Sequence, residues 1–415
     1  MLLHEADLIA ARSGVKLELA GVAVADAGRS RPGIPAALVT GDAKGLVADP
    51  TVDVVVELIG GLDPARELVE AALAAGRPVV TANKALMAAH GASLTESAAA
   101  SGVDLLYEAA VAGAIPLIRP LRESLAGERI GRVVGIVNGT TNFILTTMAE
   151  QGLSYAEALG EAQRLGFAER DPAADVEGHD AAAKAAILAG LAFRCVVTGA
   201  DVPREGIASV DPADVAFADR LGYVVKLLGV AERFDDEPEA DTTPEISVRV
   251  HPAMLPRTHP LASVRGAFNA VFIEGAAAGE LMLYGRGAGG APTASAVLGD
   301  VIDAAHHLRT GSPARVPPRL PARFRPDDDL YCAWYLSIDV VDRPGVLAAV
   351  AQVFGSHGVS IRSMEQVGLG DEARLIFLTH VARVGAVRRT IDELRHLDVV
   401  DRVGGVLRIV GDEDG

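Results

Sequence analysis

Asp180 and Lys184 stand four residues apart, and the rest of the stretch from Ala181 to Leu191 is Ala, Ile, Leu and Gly. Positions i and i+4 share one helix face, so this spacing sets a carboxylate beside an ammonium. A lysine on an otherwise apolar helix is taken out of water, which disfavours its charged form and suits it to proton transfer. Four more acids, Glu169, Asp171, Asp175 and Glu177, come just before. The plain alternative is an acidic cluster favouring a helix N-terminus, plus a surface ion pair worth about 0.3–0.5 kcal/mol. The helix has almost no other polar residue with which to make a solvent face, and this favours chemistry.

Three other groups invite the same question. Thr81-Ala82-Asn83-Lys84 follows an apolar run, where a lysine can meet a phosphate, carboxylate or carbonyl oxygen. Glu108 opens Glu108-Ala109-Ala110-Val111-Ala112-Gly113-Ala114-Ile115-Pro116, in which a lone carboxylate stands beside small residues. Such oxygens can bind a hard cation, and a capping or hinge role is equally open. Asn138-Gly139-Thr140-Thr141-Asn142 can hold a small polar substrate or cap the helix that follows, and the residues by themselves favour the cap. Gly285-Arg286-Gly287-Ala288-Gly289-Gly290 imitates a dinucleotide fingerprint, but the rest of a βαβ unit does not follow it. It is read as a glycine-rich loop approaching a cofactor bound elsewhere. His306 and His307 are neighbours on one helix and face different directions, so they do not form a metal pair.

These residues need elements to position them. Apolar runs at Leu17 to Val24, Val52 to Ile59, Pro78 to Thr81 and Val103 to Tyr107 alternate with helical text. That alternation predicts a parallel sheet covered on both faces, an α/β doubly wound domain with ligands beyond the carboxyl ends of its strands. Gly60-Gly61, Lys84 and Glu108 stand at such ends. From about Ile115 the text becomes α+β. Helical stretches at Ser154 to Leu165, Asp180 to Phe193 and Phe217 to Val230 mix with strands at Arg132 to Val137, Ile246 to Val250 and Ala270 to Glu274. Gly311 to Pro326 carries five prolines and four arginines and reads as a semi-rigid linker. The remainder follows the order strand-helix-strand-strand-helix-strand, a ferredoxin-like module. The expected division is therefore 1–114, 115–310, a linker at 311–328, and 329–415.

Composition bounds the answer. A chain of 415 residues, half hydrophobic, has room for two to four domains. A net charge of −17 argues against nucleic-acid or anionic-membrane partners, which need clustered basic residues. No run of eighteen apolar residues suggests a membrane span, and the first residues lack the features of a signal peptide. Two cysteines, Cys195 and Cys332, are too few for a disulfide framework and fit a reducing cytoplasm.

Five motifs in order carry a family resemblance: TANK at 81–84, EAAVAGAIP at 108–116, GIVNGTTNFIL at 135–145, GFAERDPAADVEGHDAAAK at 166–184 and GRGAGGAPTASAVLGD at 285–300. The chain resembles homoserine dehydrogenase, and LSIDVVDRPGVLAAVAQVFGSHGVSI at 336–361 is similar to an ACT domain. The resemblance implies interconversion of L-aspartate 4-semialdehyde and L-homoserine with NADP or NAD, on the route to threonine, methionine and isoleucine. It implies Lys184 as proton donor, Asp180 beside it, and Lys84 as the second active-site lysine. Glu169 is implied to hold the substrate, and Asp175, Asn138 and Thr140 are further candidates for that role. Gly60, Lys84 and Gly287 are the candidates for the cofactor. Glu108, Val111, Gly113 and Ile115 match a monovalent-cation site, for Na+ or K+. Asp26 suits a ribose hydroxyl and Arg29 and Arg31 a 2′-phosphate, with NADP preferred. Threonine is the expected effector, at the Asp342-Arg343-Pro344-Gly345 turn, in a homodimer or homotetramer.

The chain departs from the family at its start. It opens inside the helix that should follow the glycine-rich phosphate loop, so the nucleotide domain is expected to lack its first strand and that loop, with the true start upstream of Met1. The rival expectation is a non-catalytic amino-acid sensor with a vestigial dehydrogenase domain.

Overall fold

The computed structural model describes residues 1–235, 242–313, 319–368 and 372–411. Among them the chain forms two compact units that interleave in sequence. One comprises Met1–Arg129, Ala186–Asp201 and Gly285–Pro321; the other comprises Ile130–Ala185, Val202–Tyr284 and Ala322–Gly415.

In the first unit, α1 (Ala6–Ser13) precedes β1 (Val22–Ala23) and β2 (Val39–Thr40), which pair in parallel. After α2 (Ala43–Ala48), a second parallel sheet runs in the order β3 (Val55–Glu57), β4 (Val79–Thr81), β5 (Leu105–Leu106). The two sheets share no described strand. Helix α3 (Ala65–Ala74) joins β3 to β4, and α4 (Lys84–Ser101) joins β4 to β5. This is the expected doubly wound pattern, with right-handed crossovers favoured wherever parallel strands are joined by helices. Val79, Val80 and Leu106 are almost fully buried, and the late helix of this unit packs on Val80 and Leu106 through Ala304, Val297 and Val301.

The second unit is built on a sheet of eleven described strands. Its substrate-side members are β6 (Ile130–Ile136), β7 (Tyr223–Arg233), β8 (Glu245–Pro256), β9 (Phe268–Gly275) and β10 (Gly279–Arg286), with helices α5 (Gly139–Gln151), α6 (Tyr155–Arg164), α7 (Ala173–Val176), α8 (His179–Ala192) and α9 (Pro212–Arg220) in the intervening chain. Helix α10 (Gly290–Thr310) is the late helix of the first unit. Strand β11 (Arg323–Phe324) pairs with β8, and β12 (Tyr331–Val341) starts the C-terminal module. There α11 (Val346–Ser356), β13 (Ile361–Gly368), β14 (Glu372–Thr379), β15 (Ala382–Arg383), α12 (Val384–Leu394) and β16 (Val400–Ile409) complete the predicted ferredoxin-like order. The spatial order is β10-β9-β6-β7-β8-β16-β12-β14-β13. The module is thus continuous with the substrate sheet, because Arg408 and Ile409 of β16 pair in parallel with Ala253 and Met254 of β8.

Two expectations change. The helix expected from Phe217 to Val230 ends at Arg220, and β7 begins at Tyr223. Gly222, at φ +86°, stops the helix, and the run that follows, with valines at 224, 225 and 230, is almost wholly buried. An apolar run covered on both faces lacks the alternation that separates strand from buried helix. The proline-rich stretch is partly tied down. Leu320 exchanges backbone hydrogen bonds with Arg194 and Val196, and Arg323–Phe324 joins the sheet, while residues 314–318 of the expected linker lie outside the described residues.

Candidate active site

The strands end where the candidate chemistry begins. Past the last residue of β6, Val137 and Asn138 lead into α5, and the Asn138 side chain caps that helix by accepting the Thr141 amide at 2.9 Å. The same side chain has a second use. Its amide nitrogen donates to Asp175 at 2.7 Å and to Asp180 at 3.0 Å. Capping and site-building, open alternatives in the sequence, are therefore both performed by one residue.

Asp180 lies in the first turn of α8, where the helix dipole favours a carboxylate. Lys184, one turn on, places Nζ 2.7 Å from Asp180 Oδ2 and donates to the Val137 carbonyl at 2.7 Å. Both residues are buried. A buried pair of this kind offsets its desolvation only when further hydrogen bonds support it, and Asn138 and Val137 supply them. Asn269, at the start of β9, donates to the same Val137 carbonyl at 2.9 Å. Nothing in the sequence signals Asn269, because only the β6–β9 register brings it there.

The remaining substrate candidates are set around this cluster. Thr140 donates its hydroxyl to the Phe167 carbonyl at 2.7 Å and so ties α5 to the segment that leads to Glu169. Glu169 is exposed, and its carbonyl accepts from Gln163. Asp175, in α7, is half-buried. The structure therefore brings Asn138, Asp175, Asp180 and Lys184 into direct contact and leaves the Glu169 side chain facing solvent.

Lys226 on β7 is a second buried lysine of this unit, and sequence reading did not single it out. Nζ donates to Asn142 at 2.8 Å and to the Val264 carbonyl at 2.7 Å. Burial, with the nearby Arg265 charge, lowers its pKa to about 8. Its partners are neutral oxygens that brace α5 against the loop before β9.

In the other unit, Gly60, Lys84 and Gly287 are the cofactor candidates. Gly60 and Gly61 take positive φ, +82° and +70°, at the carboxyl end of β3. Glu57 is buried there and accepts the Ile59 amide at 2.6 Å, the Gly60 amide at 3.2 Å and the Thr81 hydroxyl at 2.6 Å. Asn83 caps α4 by accepting the Leu86 amide and donates to the Gly61 carbonyl at 2.7 Å. Lys84 thus opens α4 beside the glycine turn and is exposed. Glu57 was missed, although an acid closing an apolar run before Gly-Gly was a usable signal. Leu58 and Ile59 are exposed on the same loop.

The cation candidates show a different arrangement. The Glu108 carboxylate accepts the main-chain amides of Leu117, Ile118 and Arg119. It is a cap, and a cation at this turn would be left with the backbone oxygens of Glu108, Val111, Gly113 and Ile115. Ala112 and Gly113 both take positive φ, and a Cβ on Gly113 would run into the Gly287 carbonyl. The glycine-rich loop is therefore seated on this turn, and Ala114 donates to the Arg286 carbonyl at 3.1 Å. Asp300 on α10 accepts the Glu108 amide at 2.8 Å and faces Arg119. Burial first, then the Glu108 charge, outweigh that amide and Arg119 and raise the Asp300 pKa to about 7. His306 and His307 diverge as expected, to the Ser13 carbonyl and to Asp104. Among the described residues no group of three or more His, Cys, Asp or Glu side chains could hold a metal ion, and no helix is long and apolar enough to cross a membrane.

At the C-terminal module the Asp342–Gly345 turn is exposed. Gly345, at φ +92°, starts α11 with no side-chain cap.

With this geometry in place, comparisons with known proteins are informative. The family profile described as homoserine dehydrogenase matches residues 116–302, that of the homoserine dehydrogenase NAD-binding domain matches 4–108, and that of the ACT domain matches 334–399. The homoserine dehydrogenase of Corynebacterium glutamicum is 50% identical over 409 residues, covering 98% of this chain and 91% of that protein. The crystal structure of a homoserine dehydrogenase from Thiobacillus denitrificans superposes with a TM-score of 0.89 at 40% identity, covering 98% of this chain and 94% of that one. A hyperthermophilic archaeal homoserine dehydrogenase in complex with NADPH gives a TM-score of 0.54 at 31% identity, over 66% of this chain and 77% of that one.

Proposed function

The chain belongs to the homoserine dehydrogenase family, and on that premise we propose how its own residues perform the reaction. The activity is the nicotinamide-dependent interconversion of L-homoserine and L-aspartate 4-semialdehyde, and the ACT domain binds an amino-acid effector. The comparisons give no support to the rival of a non-catalytic sensor. The division of labour follows the segments 1–114 for the nucleotide, 115–310 for catalysis, the last helix of that segment packing back on the nucleotide unit, and 329–415 for the effector.

The observation that carries the mechanism is Lys184 Nζ held at 2.7 Å from both Asp180 and the Val137 carbonyl. An ammonium has three N–H donors. Two are fixed by these contacts, and the third is assigned to the aldehyde oxygen. As carbon receives hydride, negative charge grows on that oxygen, and Lys184 donates its proton there; in the reverse direction it takes the hydroxyl proton back. Asp180 keeps the ammonium in place, and Asn138 keeps Asp180 and Asp175 from turning away. The substrate α-ammonium is met by Glu169 and Asp175, as opposite charges in hydrogen-bonding reach favour. Thr140 holds the segment that carries Glu169.

When bound, the nicotinamide ring supplies or accepts the hydride. Gly60, Lys84 and Gly287 are its proposed holders, supported by the pinned Gly60-Gly61 turn and by the seating of the 285–290 loop. NADP is the preferred form. Asp26 closes onto its own Gly28 amide at 3.0 Å, while Arg29 and Arg31 stand in the same exposed turn. A monovalent cation, Na+ or K+, fits the backbone oxygens of Glu108, Val111, Gly113 and Ile115, with Glu108 acting through its main chain. Threonine is the proposed effector, its carboxylate meeting the open N-terminus of α11. The enzyme is placed in the cytoplasm as a homodimer or homotetramer.

The test is homoserine-dependent reduction of NAD(P)+ by the purified chain. Lys184→Ala is expected to lower kcat by about 10³-fold per folded molecule, with a lowered melting temperature because buried Asp180 loses its partner. Activity within tenfold of the parent would end the assignment of Lys184.

A further inference from the structure

We propose that Asn269 is a positioning residue for Lys184, acting through the carbonyl of Val137; this rests on the reading of Lys184 as the proton donor. The ladder between β6 and β9 ends at the pair Ile136 and Ala270. One residue further, Val137 and Asn269 have left the ladder, and a side chain takes over where the strand stops. The Asn269 amide donates to the Val137 carbonyl at 2.9 Å. A carbonyl oxygen has two lone pairs, and Lys184 Nζ uses the other at 2.7 Å.

Stability does not account for this asparagine. It is 1% exposed, the four residues that follow it are buried and apolar, and its Oδ1 has no hydrogen-bond partner among the described residues. An unsatisfied buried acceptor costs about 1–3 kcal/mol, so a leucine of similar size would serve the packing better. The position also borders the other side of the site. A Cβ on Gly139 would lie 2.7 Å from the Ala267 carbonyl and 3.4 Å from Asn269 Oδ1, so the Asn138-Gly139-Thr140 turn rests directly on this segment. Asn269 therefore holds the Val137 peptide from one side while the ammonium leans on it from the other. Losing the amide leaves the peptide plane free to turn, and the direction of the third ammonium N–H turns with it. A small misalignment of a proton donor is enough to lower a rate by about 10²-fold.

Two variants test this in the purified full-length chain, with L-homoserine and NADP+ as substrates. Asn269→Leu keeps the volume and removes the donor. It is expected to lower kcat between tenfold and a hundredfold with the KM for NADP+ unchanged and the melting temperature equal to or above the parent's. Asn269→Asp keeps the size and likewise loses the donor, so kcat is expected to fall at least tenfold, again with the KM for NADP+ unchanged. A purely structural residue would not lower kcat at full folding with KM unchanged. Parental kcat in a folded Asn269→Leu or Asn269→Asp overturns the proposal; if Asn269→Leu does not fold, Asn269→Asp decides alone. Lys184→Ala, measured alongside, separates the two claims. If it is inactive while both Asn269 variants match the parent, only this inference fails; if it is active, the reading of Lys184 fails and takes this one with it.

Discussion

Glu108 and Asp180 are carboxylates of nearly equal burial, 6% and 5% exposed, in the two different compact units. Their partners differ in kind. Glu108 is closed on three main-chain amides, which cannot move and carry no transferable charge. Asp180 is held by an ammonium and a side-chain amide, both of which can turn and one of which can lose a proton. Burial therefore says little about the role of an acid until its donors are named. A carboxylate saturated by backbone fixes a fold, and a carboxylate leaning on a titratable side chain is a candidate for chemistry, the role proposed for Asp180.

That contrast is open to attack at both ends, and the larger effect is at the catalytic end. Asp180→Asn retains the size and the contact with Lys184 but removes the negative charge that keeps the ammonium in place. A fall in kcat of about 10²–10³-fold is expected, with a change in melting temperature of only a few degrees. Glu108→Ala instead strands three amides, two buried and one half-buried. It is expected to destabilise the first unit by about 3 kcal/mol, read from denaturant midpoints, while kcat per folded molecule at low temperature stays within a few-fold of the parent. If Glu108→Ala lost turnover at full stability, Glu108 would belong to the chemistry and the comparison would collapse.

The sequence shows the catalytic end more plainly than the structural one. Asp180 and Lys184 are legible because helical spacing alone places them together, and the structure finds them 2.7 Å apart. Asn138 was legible as a cap, but its reach to Asp175 and Asp180 depends on tertiary packing across 37 and 42 residues of chain. Asn269 needed the register of two strands 132 residues apart from donor to acceptor. The fold class followed from the alternation of apolar runs and helices. The exception was residues 223–230, where a strand buried on both faces carries no period that distinguishes it from a helix. Glu108 left cation binding and capping equally open, because sequence displays a side chain's type and hides what it bonds to. Continuity of the ACT sheet with β8 was hidden for the same reason, since two parallel backbone pairs leave no mark on composition.

The smallest effect concerns Asp300, which sits behind Glu108 and is the acid of this unit that burial raises to about 7. Its ordinary value is near 3.8, so between about pH 4 and 7 the folded chain holds a proton that the unfolded chain has released. Stability from this group is complete below the unfolded value and is lost as pH rises through the folded one. Asp300→Asn cannot release that proton and still offers an oxygen to the Glu108 amide. The difference in unfolding free energy between Asp300→Asn and the parent should therefore shift in the variant's favour by about 2–3 kcal/mol from pH 5 to pH 8. Urea titrations of both proteins at each pH read this directly, because the other titrating groups cancel in the difference. A difference that stays flat would mean that Arg119, 3.3 Å away, keeps Asp300 ionised throughout. Asp300 would then stay charged between the Glu108 amide and Arg119, as Glu108 is held by its three amides, and the contrast with Asp180 would be sharper than drawn.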